Sequence, residues 1–152
     1  LDFQLPINFD LSYIDENSSE SRPVVIHRAI YGSFERFIGI LIEHYAGNFP
    51  TWLAPVQVKV LPISEKVIDY SQKVYKELLD IGIRAEIDDR SETMNAKIRD
   101  NKMKKIPYLL VIGQKEEEAN TVSYRSREDD SQKTLSLEEF KIQVTEENKF
   151  DF

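Results

Sequence analysis

An arginine stands where the start of a helix favours an acidic side chain. Apolar residues recur at helical spacing over residues 34–45, which predicts a helix with Arg36 in its first turn. The helix dipole disfavours a cation there by roughly 0.3–1 kcal/mol. The arginine suits this place if it holds a phosphate together with the backbone N–H groups that follow Ser33. Alternatively, Arg36 pairs with Glu35 or Glu43 on the surface.

His27 is a second candidate for chemistry. It lies in residues 24–28, an apolar run that predicts a buried strand. Such a histidine is either a hydrogen-bonded core residue or a metal ligand. Zinc requires three or four protein ligands, and the only other histidine, His44, has no metal partner at a recognisable spacing. The residues alone leave both interpretations open.

Basic residues cluster in the second half of a chain whose formal net charge is −7. A predicted helix and the strands after it carry them. The cluster indicates either a nucleic-acid-binding face or the solvated face of a helix, because RNA binding depends on local rather than total charge. The basic members are Arg90, Lys97, Arg99, Lys102, Lys104, Lys105, Arg125 and Arg127, and Tyr108 lies next to them.

The composition argues against several other classes of protein. The 152 residues suit one ordinary domain, or a small domain with part of another. No cysteine is present, so disulfides and thiolate metal sites are excluded, which suits a cytosolic protein. We find no membrane-spanning apolar run, signal peptide, glycine-rich phosphate loop or nucleophile elbow. The chain opens without methionine, which is typical of a piece of a longer protein.

The first 48 residues predict strands followed by a helix. Ser33 is the predicted N-cap of the helix at residues 34–45, and Gly47 is its predicted C′ residue. The apolar stripe of that helix is expected to pack against other elements. The predicted strands are residues 1–5, 11–14 and 24–28, the last two forming a hairpin.

From residue 56 onward, strands alternate with helices. The order βαβαββα predicts an α/β fold, with a mixed sheet that has a parallel core flanked by helices. Predicted strands are residues 56–61, 83–87, 108–112 and 121–125, and predicted helices run from Ser64 to Gly82, from residue 92 to 104 and from Ser136 to residue 144.

Residues 22–41, RPVVIHRAIYGSFERFIGIL, resemble motif 3 of class II aminoacyl-tRNA synthetases in the version of the threonyl-tRNA synthetase family. Residues 51–57, TWLAPVQ, are similar to that family's junction into its anticodon-binding domain. The resemblance covers essentially the whole chain. It implies that residues 1–48 are the end of an antiparallel catalytic domain, present as a strand–strand–helix remnant, and that residues 49–152 are a class II anticodon-binding domain.

The resemblance also implies roles for the first two candidates. The family's arginine matching Arg36 contacts the phosphates of ATP, so Arg36 is an expected catalytic residue and binds ATP with Mg together with Ser33. The histidine matching His27 is one of three ligands of a zinc ion that recognises the amino and hydroxyl groups of threonine. The other two ligands, and motifs 1 and 2, lie upstream in the family. These 152 residues alone are therefore predicted to be inactive.

The family's anticodon-recognition residues match Ser91, Lys105, Glu116 and Arg125. Two of these positions depart from a common family form, which has asparagine at Ser91 and arginine at Lys105. Lysine keeps the charge but loses bidentate base recognition. Residues 127–130 are acidic where more basic and glycine-rich residues are expected. Arg125 is therefore the most direct candidate for reading a base.

The resemblance implies the C-terminal part of a threonine–tRNA ligase, which activates threonine with ATP and attaches it to tRNA(Thr). Expected partners of the intact enzyme are tRNA(Thr), threonine, ATP and a second copy in a homodimer. A cytoplasmic location and no membrane are expected. An alternative is a stand-alone tRNA-binding or accessory module without catalysis, and a third is a generic nucleotide-binding α/β domain.

Overall fold

The computed structural model describes residues 1–129 and 131–149, and the chain divides into two compact units. The first is Leu1–Leu41, and the second begins at Ile42, so the division falls inside helix α2 (Phe34–Tyr45). Among the described residues, no helix is both long enough and apolar enough to cross a membrane.

The first unit contains a short helix and a two-stranded hairpin before α2. Helix α1 spans Gln4–Asn8. Strand β1 (Tyr13–Ile14) pairs antiparallel with β2 (Glu20–Ser21). Asp2 and Val25 form an isolated bridge, with N···O distances of 2.8 and 3.1 Å.

The strand predicted at residues 1–5 is wrong, because a helix begins there instead. Asp2 Oδ1 accepts hydrogen bonds from the backbone N–H groups of Gln4 and Leu5 at 2.8 and 2.9 Å. These bonds satisfy donors that a helix start leaves unpaired. Pro6 is tolerated because the first turn needs no N–H from it. The alternation of apolar residues concealed this local capping.

The buried strand predicted at residues 24–28 is also wrong. Only Val25 pairs, and Val24 and Ile26 are 45% and 74% exposed. The hairpin that begins near residue 13 closes on β2, not on this segment. An apolar run shows that a segment favours burial, but it does not show that a partner is present. The predicted strand–strand–helix remnant is therefore a helix, a hairpin and a second helix.

Helix α2 confirms the prediction at residues 34–45. Ser33 is its N-cap, since Ser33 Oγ accepts from the backbone N–H of Arg36 at 3.3 Å. The C-terminus differs by one residue. Ala46 takes the left-handed C′ position with φ +48°, and Gly47, with φ +75°, donates to the Ile42 carbonyl at 2.9 Å. No residue of α2 is buried, so its apolar stripe is not covered as expected.

The second unit is built on a five-stranded mixed sheet. Its strands, in their order across the sheet, are β4 (Ala85–Ile87), β3 (Val58–Pro62), β5 (Tyr108–Ile112), β6 (Thr121–Ser126) and β7 (Lys133–Ser136). Strand β3 runs parallel to β4 and β5, whereas β6 is antiparallel to both β5 and β7. The predicted mixed sheet with a parallel core is confirmed. The helices of this unit are a 3-10 helix (Glu65–Val67), α3 (Ile68–Asp80), α4 (Met94–Met103), α5 (Gln114–Ala119) and α6 (Leu137–Glu147).

Two elements of this unit are absent from the predicted order. Helix α5 has six residues, and its acidic composition resembled a turn. Strand β7 is mostly polar and has no apolar alternation to mark it. The observed order is therefore βαβαβαββα rather than βαβαββα.

The sheet has two differently covered faces. One face carries the main core, where Val58, Leu110 and Val122 pack with side chains of α3 and α6 such as Val74 and Phe140. On the other face, a smaller cluster of Leu61, Ile106, Leu109 and Val111 packs against Met94 and Ile98 of α4. We call the second one the α4 face.

Gln57 ties three distant segments of the second unit together. Its side chain is fully buried. Nε2 donates to the Thr51 carbonyl at 2.8 Å and to the side chain of Asn148, and Oε1 accepts from the Arg84 backbone N–H at 2.9 Å. All three hydrogen-bonding groups of the amide have partners, so the junction at residues 50–55 is fixed to the sheet and to the end of α6.

Replacing Gln57 with alanine should lower the free energy of unfolding by about 2–4 kcal/mol, because three polar groups lose partners inside the protein. Urea denaturation of the full chain measures the loss. Gln72→Ala, at an exposed position on α3, is the matched control. A loss for Gln57→Ala as small as that of the control would contradict the role assigned to Gln57.

Candidate nucleic-acid interface

The register of β5 and β6 places polar side chains on the α4 face. Arg125 lies opposite Leu109, and Ser123 lies opposite Val111. Because side chains on a strand alternate between faces, Arg125 and Ser123 project on the same side as Leu109. Thr134 of β7 lies opposite Ser123 and extends this row.

Beside α4, a cavity of about 260 Å³ opens on this face. Ile106 and Leu109 form an apolar floor. Lys102, Arg125 and Arg127 supply three cationic side chains around it. An apolar floor suits the face of a nucleic-acid base, and the cations suit phosphates or base edges. These three residues are the part of the predicted basic cluster that lines this cavity.

Arg127 is largely occupied by contacts with the protein itself. Its Nη1 donates to the Lys105 carbonyl at 3.0 Å, and its Nη2 donates to the Phe49 carbonyl at 2.9 Å. Its backbone N–H donates to the Pro107 carbonyl at 2.9 Å. Arg127 therefore holds the wall of the cavity in place, and these contacts use two of the five N–H donors of its guanidinium.

Lys105 was predicted as an anticodon-recognition residue, and its ammonium lies on a backbone carbonyl of the chain. Its Nζ donates to the Ala46 carbonyl at 2.6 Å, at the C-terminus of α2, where the helix dipole favours a cation. A Cβ at Gly47 would lie 3.3 Å from Cδ of Lys105, so the glycine leaves room for the lysine stem. This bond uses one of the three N–H donors of the exposed ammonium, and the other two remain for further acceptors.

Ser91 lies in a different cavity from Arg125. It is exposed and lines a cavity of about 350 Å³ that also includes Ser64, Arg90 and Lys97. This cavity lies beyond the carboxyl ends of β3 and β4, and it shares no lining residue with the one beside Arg125. The predicted recognition residues are thus distributed over separate places on the unit.

Glu116 is half-buried, and both of its carboxylate oxygens have partners. Oε2 accepts from the Gly113 backbone N–H at 2.9 Å, and Oε1 accepts from Ser123 Oγ at 2.7 Å. Because Ser123 shares a strand face with Arg125, these contacts connect Glu116 to the polar row on the α4 face.

Lys97 does not belong to a nucleic-acid surface, which corrects part of the predicted cluster. It is only 5% exposed, and its Nζ donates to the carbonyls of Asp88 and Pro62 at 3.0 and 3.4 Å. The neighbouring Arg90 donates to both carboxylate oxygens of Asp88 at 2.8 Å. Arg90 and Lys97 therefore stabilise the fold.

Asn101 completes this buried network, and the sequence analysis missed it. Its Nδ2 donates to Asp88 Oδ2 at 2.9 Å and to the Lys97 carbonyl at 2.8 Å. Hydrogen bonds from Arg90 and Asn101 hold the pKa of the Asp88 carboxyl well below its usual range. The available signal was the four-residue spacing of Lys97 and Asn101, which places both on one side of α4.

The side chain of Tyr108 lies on the main-core side of the sheet, opposite the α4 face. Its ring packs with Tyr124 and Phe140 in the main core, and its hydroxyl donates to Glu147 Oε1 at 2.5 Å. Burial and this carboxylate raise the pKa of Tyr108. It is therefore a core residue, and its side chain does not line the cavity beside α4.

In the first unit, Arg36 is exposed and Glu35 does not pair with it. Glu35 Oε2 instead accepts from Ser33 Oγ at 2.8 Å. No salt bridge to Arg36 exists within residues 1–129 and 131–149, so the alternative of a surface pair with Glu35 or Glu43 is wrong. Arg36 is thus an exposed residue in the first turn of α2.

His27 is exposed rather than buried in a strand. Among the residues that the structure describes, no group of three His, Cys, Asp or Glu side chains could hold a metal ion. The residues present therefore do not fit a complete zinc site, and His27 could supply one ligand only.

Comparison with known proteins identifies the family of this chain. The family described as the anticodon binding domain matches residues 57–147 of the sequence. Threonine–tRNA ligases of Clostridioides difficile (strain 630) and Syntrophomonas wolfei are 53% and 54% identical over 97% and 98% of this chain, which covers 23% and 24% of their lengths. The chain thus spans about a quarter of the length of these curated relatives.

A solved structure shows the same likeness in three dimensions. The RNA binding domain of threonyl-tRNA synthetase from Cryptosporidium parvum Iowa II has a TM-score of 0.72 and 39% sequence identity, over 95% of this chain and 37% of that one. The two structures share the mixed sheet flanked by helices described above. On this ground and on the matched family model, the chain belongs to the anticodon-binding domain family.

Proposed function

We propose that this chain binds the anticodon loop of tRNA(Thr) as part of a threonine–tRNA ligase. The observation that carries the proposal is the cavity beside α4, where Lys102 and Arg125 border an apolar floor. A single-stranded loop offers unstacked bases to such a floor and phosphates to such cations. The likeness to threonine–tRNA ligases supports the choice of tRNA.

Within this surface, Arg125 is proposed to read a base edge, and Lys102 is proposed to contact phosphate. Arg125 is half-buried on the face of the sheet and borders the apolar floor, so a base placed on that floor would lie within its reach. Lys102 is exposed near the end of α4. Glu116 and Ser91 remain proposed recognition residues. Lys105 is proposed to join them through the N–H donors that its bond to the Ala46 carbonyl does not use.

The catalytic part of the proposal concerns residues 1–48, which we assign to the end of a catalytic domain, with residues 49–152 as the anticodon-binding domain. Arg36 and Ser33 are proposed to contact the phosphates of ATP. The intact enzyme is proposed to use ATP with Mg to activate threonine. His27 is proposed to supply one zinc ligand, with the others outside these 152 residues. The intact enzyme is proposed to be a cytoplasmic homodimer.

Arg125→Ala should weaken binding of a threonine anticodon stem-loop by about 1–3 kcal/mol and reduce discrimination against an altered anticodon, because the variant loses a base contact. Fluorescence titration of both stem-loops at fixed salt measures the two quantities. Lys76→Ala, which removes an exposed cation from α3, is the control and should change neither. Equal affinity for the two loops, unaltered by Arg125→Ala, would contradict anticodon recognition.

Substitutions of Lys97 and Lys102 should have opposite effects: the first should lower stability, and the second should weaken RNA binding. Lys97→Met should lower the free energy of unfolding by about 1–3 kcal/mol, because two buried carbonyls lose their donor, and leave the RNA affinity of the folded chain unchanged. Lys102→Ala should weaken all RNAs alike and reduce the salt dependence of binding by about one phosphate contact.

Urea denaturation and stem-loop titration on both variants separate these effects. If Lys97→Met weakened RNA binding as Lys102→Ala does, with no loss of stability, the structural role of Lys97 would be refuted.

In the intact ligase, Arg36→Ala should raise the barrier to adenylate formation by about 2.7–4 kcal/mol, the scale for losing one electrostatic contact in a reacting site. Threonine-dependent pyrophosphate exchange measures the rate, with Lys76→Ala as the control. The 152-residue chain alone should show no exchange above background. A loss within twofold for Arg36→Ala would remove Arg36 from the proposed site.

A further inference from the structure

The carboxylate of Glu116 is held in one orientation by the residue that begins its own helix and by a residue of strand β6. The Gly113 backbone N–H and Ser123 Oγ bond to its two oxygens at 2.9 and 2.7 Å. A Cβ at position 113 would lie 3.0 Å from both Glu116 Oε2 and a methyl carbon of Ile63. Glycine at 113 therefore lets the carboxylate approach the backbone closely.

A second hydroxyl sets the direction of this hydrogen-bond chain. Ser123 Oγ lies 2.9 Å from Thr134 Oγ1 on the adjacent strand. Ser123 has a single hydroxyl hydrogen, and it is donated to Glu116. Thr134 must therefore donate to Ser123, which gives a chain directed from Thr134 through Ser123 to Glu116.

This hydrogen-bond chain leaves the Glu116 carboxylate able to accept a bond from a further donor. Each carboxylate oxygen has a second lone pair, so both oxygens keep accepting capacity after the two bonds are made. Ser123 is 1% exposed, whereas Glu116 is half-buried and Thr134 is exposed. The buried hydroxyl thus restrains the carboxylate of a partly exposed residue, which lowers the entropy lost when a ligand binds that carboxylate.

We propose that Ser123 and Thr134 are positioning residues for base recognition by Glu116. The oriented carboxylate accepts a ring N–H from one base of the anticodon loop, and the two hydroxyls fix its rotation without contacting that base. The inference rests on the proposed function, because it assumes that Glu116 faces the anticodon.

Two altered loops test the donor requirement. Threonine codons begin with adenine and cytosine, so threonine anticodons carry a guanine and a uracil, and each has a ring N–H on its pairing edge. Replacing guanine with adenine, or uracil with cytosine, converts that ring donor into an acceptor. A carboxylate that reads either base therefore rejects the corresponding altered stem-loop.

The measurement is the affinity of the full chain for the matched stem-loop relative to each altered one, at fixed salt. Ser123→Ala and Thr134→Val should each reduce the stronger of the two discrimination ratios by about threefold to tenfold, the scale of one hydrogen bond. Glu116→Gln should reduce the same ratio at least as much. Thr134→Ser, which keeps the hydroxyl, should retain it. Thr145→Val on α6 is the matched control and should also retain it.

The outcomes separate the inference from the proposed function. If Glu116→Gln lowers discrimination but Ser123→Ala and Thr134→Val do not, the positioning role is overturned and anticodon recognition stands. If the unmodified chain binds all three loops equally, the proposed function fails and the inference fails with it. Urea midpoints check folding, and Thr134→Val carries the test if Ser123→Ala unfolds, because Thr134 is exposed.

Discussion

The antiparallel pairing of β5 with β6 is the constraint on which the candidate surface depends. It places Arg125 opposite Leu109 and Ser123 opposite Val111, on the face that α4 covers only in part. A slip of one residue would turn Arg125 toward the main core under α3 and α6, where a guanidinium has no partner among the apolar side chains. The main core opposes that slip, because Val122 and Tyr124 would lose their buried positions.

The basic side chains of this chain fall into those that bond within the fold and those that line the proposed RNA-binding surface. Arg90 and Lys97 are committed to Asp88 and to backbone carbonyls, and Arg127 is committed to the segment before the sheet. Lys102 and Arg125 then account for most of the cationic character of the proposed surface. A formal net charge of −7 is compatible with RNA binding on these terms, since a few oriented cations beside an apolar floor suffice locally.

The sequence predicted the second unit far better than the first. Strand β5 matches its predicted bounds, and the capping box of Ser136 and Glu139 begins α6 as expected. These elements carry their own signals, namely apolar runs and local capping residues. In the first unit, apolar residues at 24–28 favour burial against a partner that the unit does not supply, so the predicted strand does not form.

The site was predictable in its residue types but not in its geometry. Arg125 and Lys102 were identified from clustering, whereas Lys97 belonged to the same cluster and is buried. Nothing in the order of residues distinguishes a lysine that bonds to Asp88 and Pro62 carbonyls from one in solvent, because those partners come from other elements. Ser123 and Thr134 were missed for the same reason, since their contact depends on the register of β6 with β7.

Amide chemical-shift mapping of the isotopically labelled chain with a threonine anticodon stem-loop tests the central claim most directly. The account predicts that the largest shifts fall on the α4 face, at Lys102, Ile106, Leu109 and Arg125 and around Ser123. Residues of α3 and α6 on the opposite face should remain unshifted. Shifts concentrated on α3 and α6, with none along β6, would contradict the assignment of the RNA-binding surface.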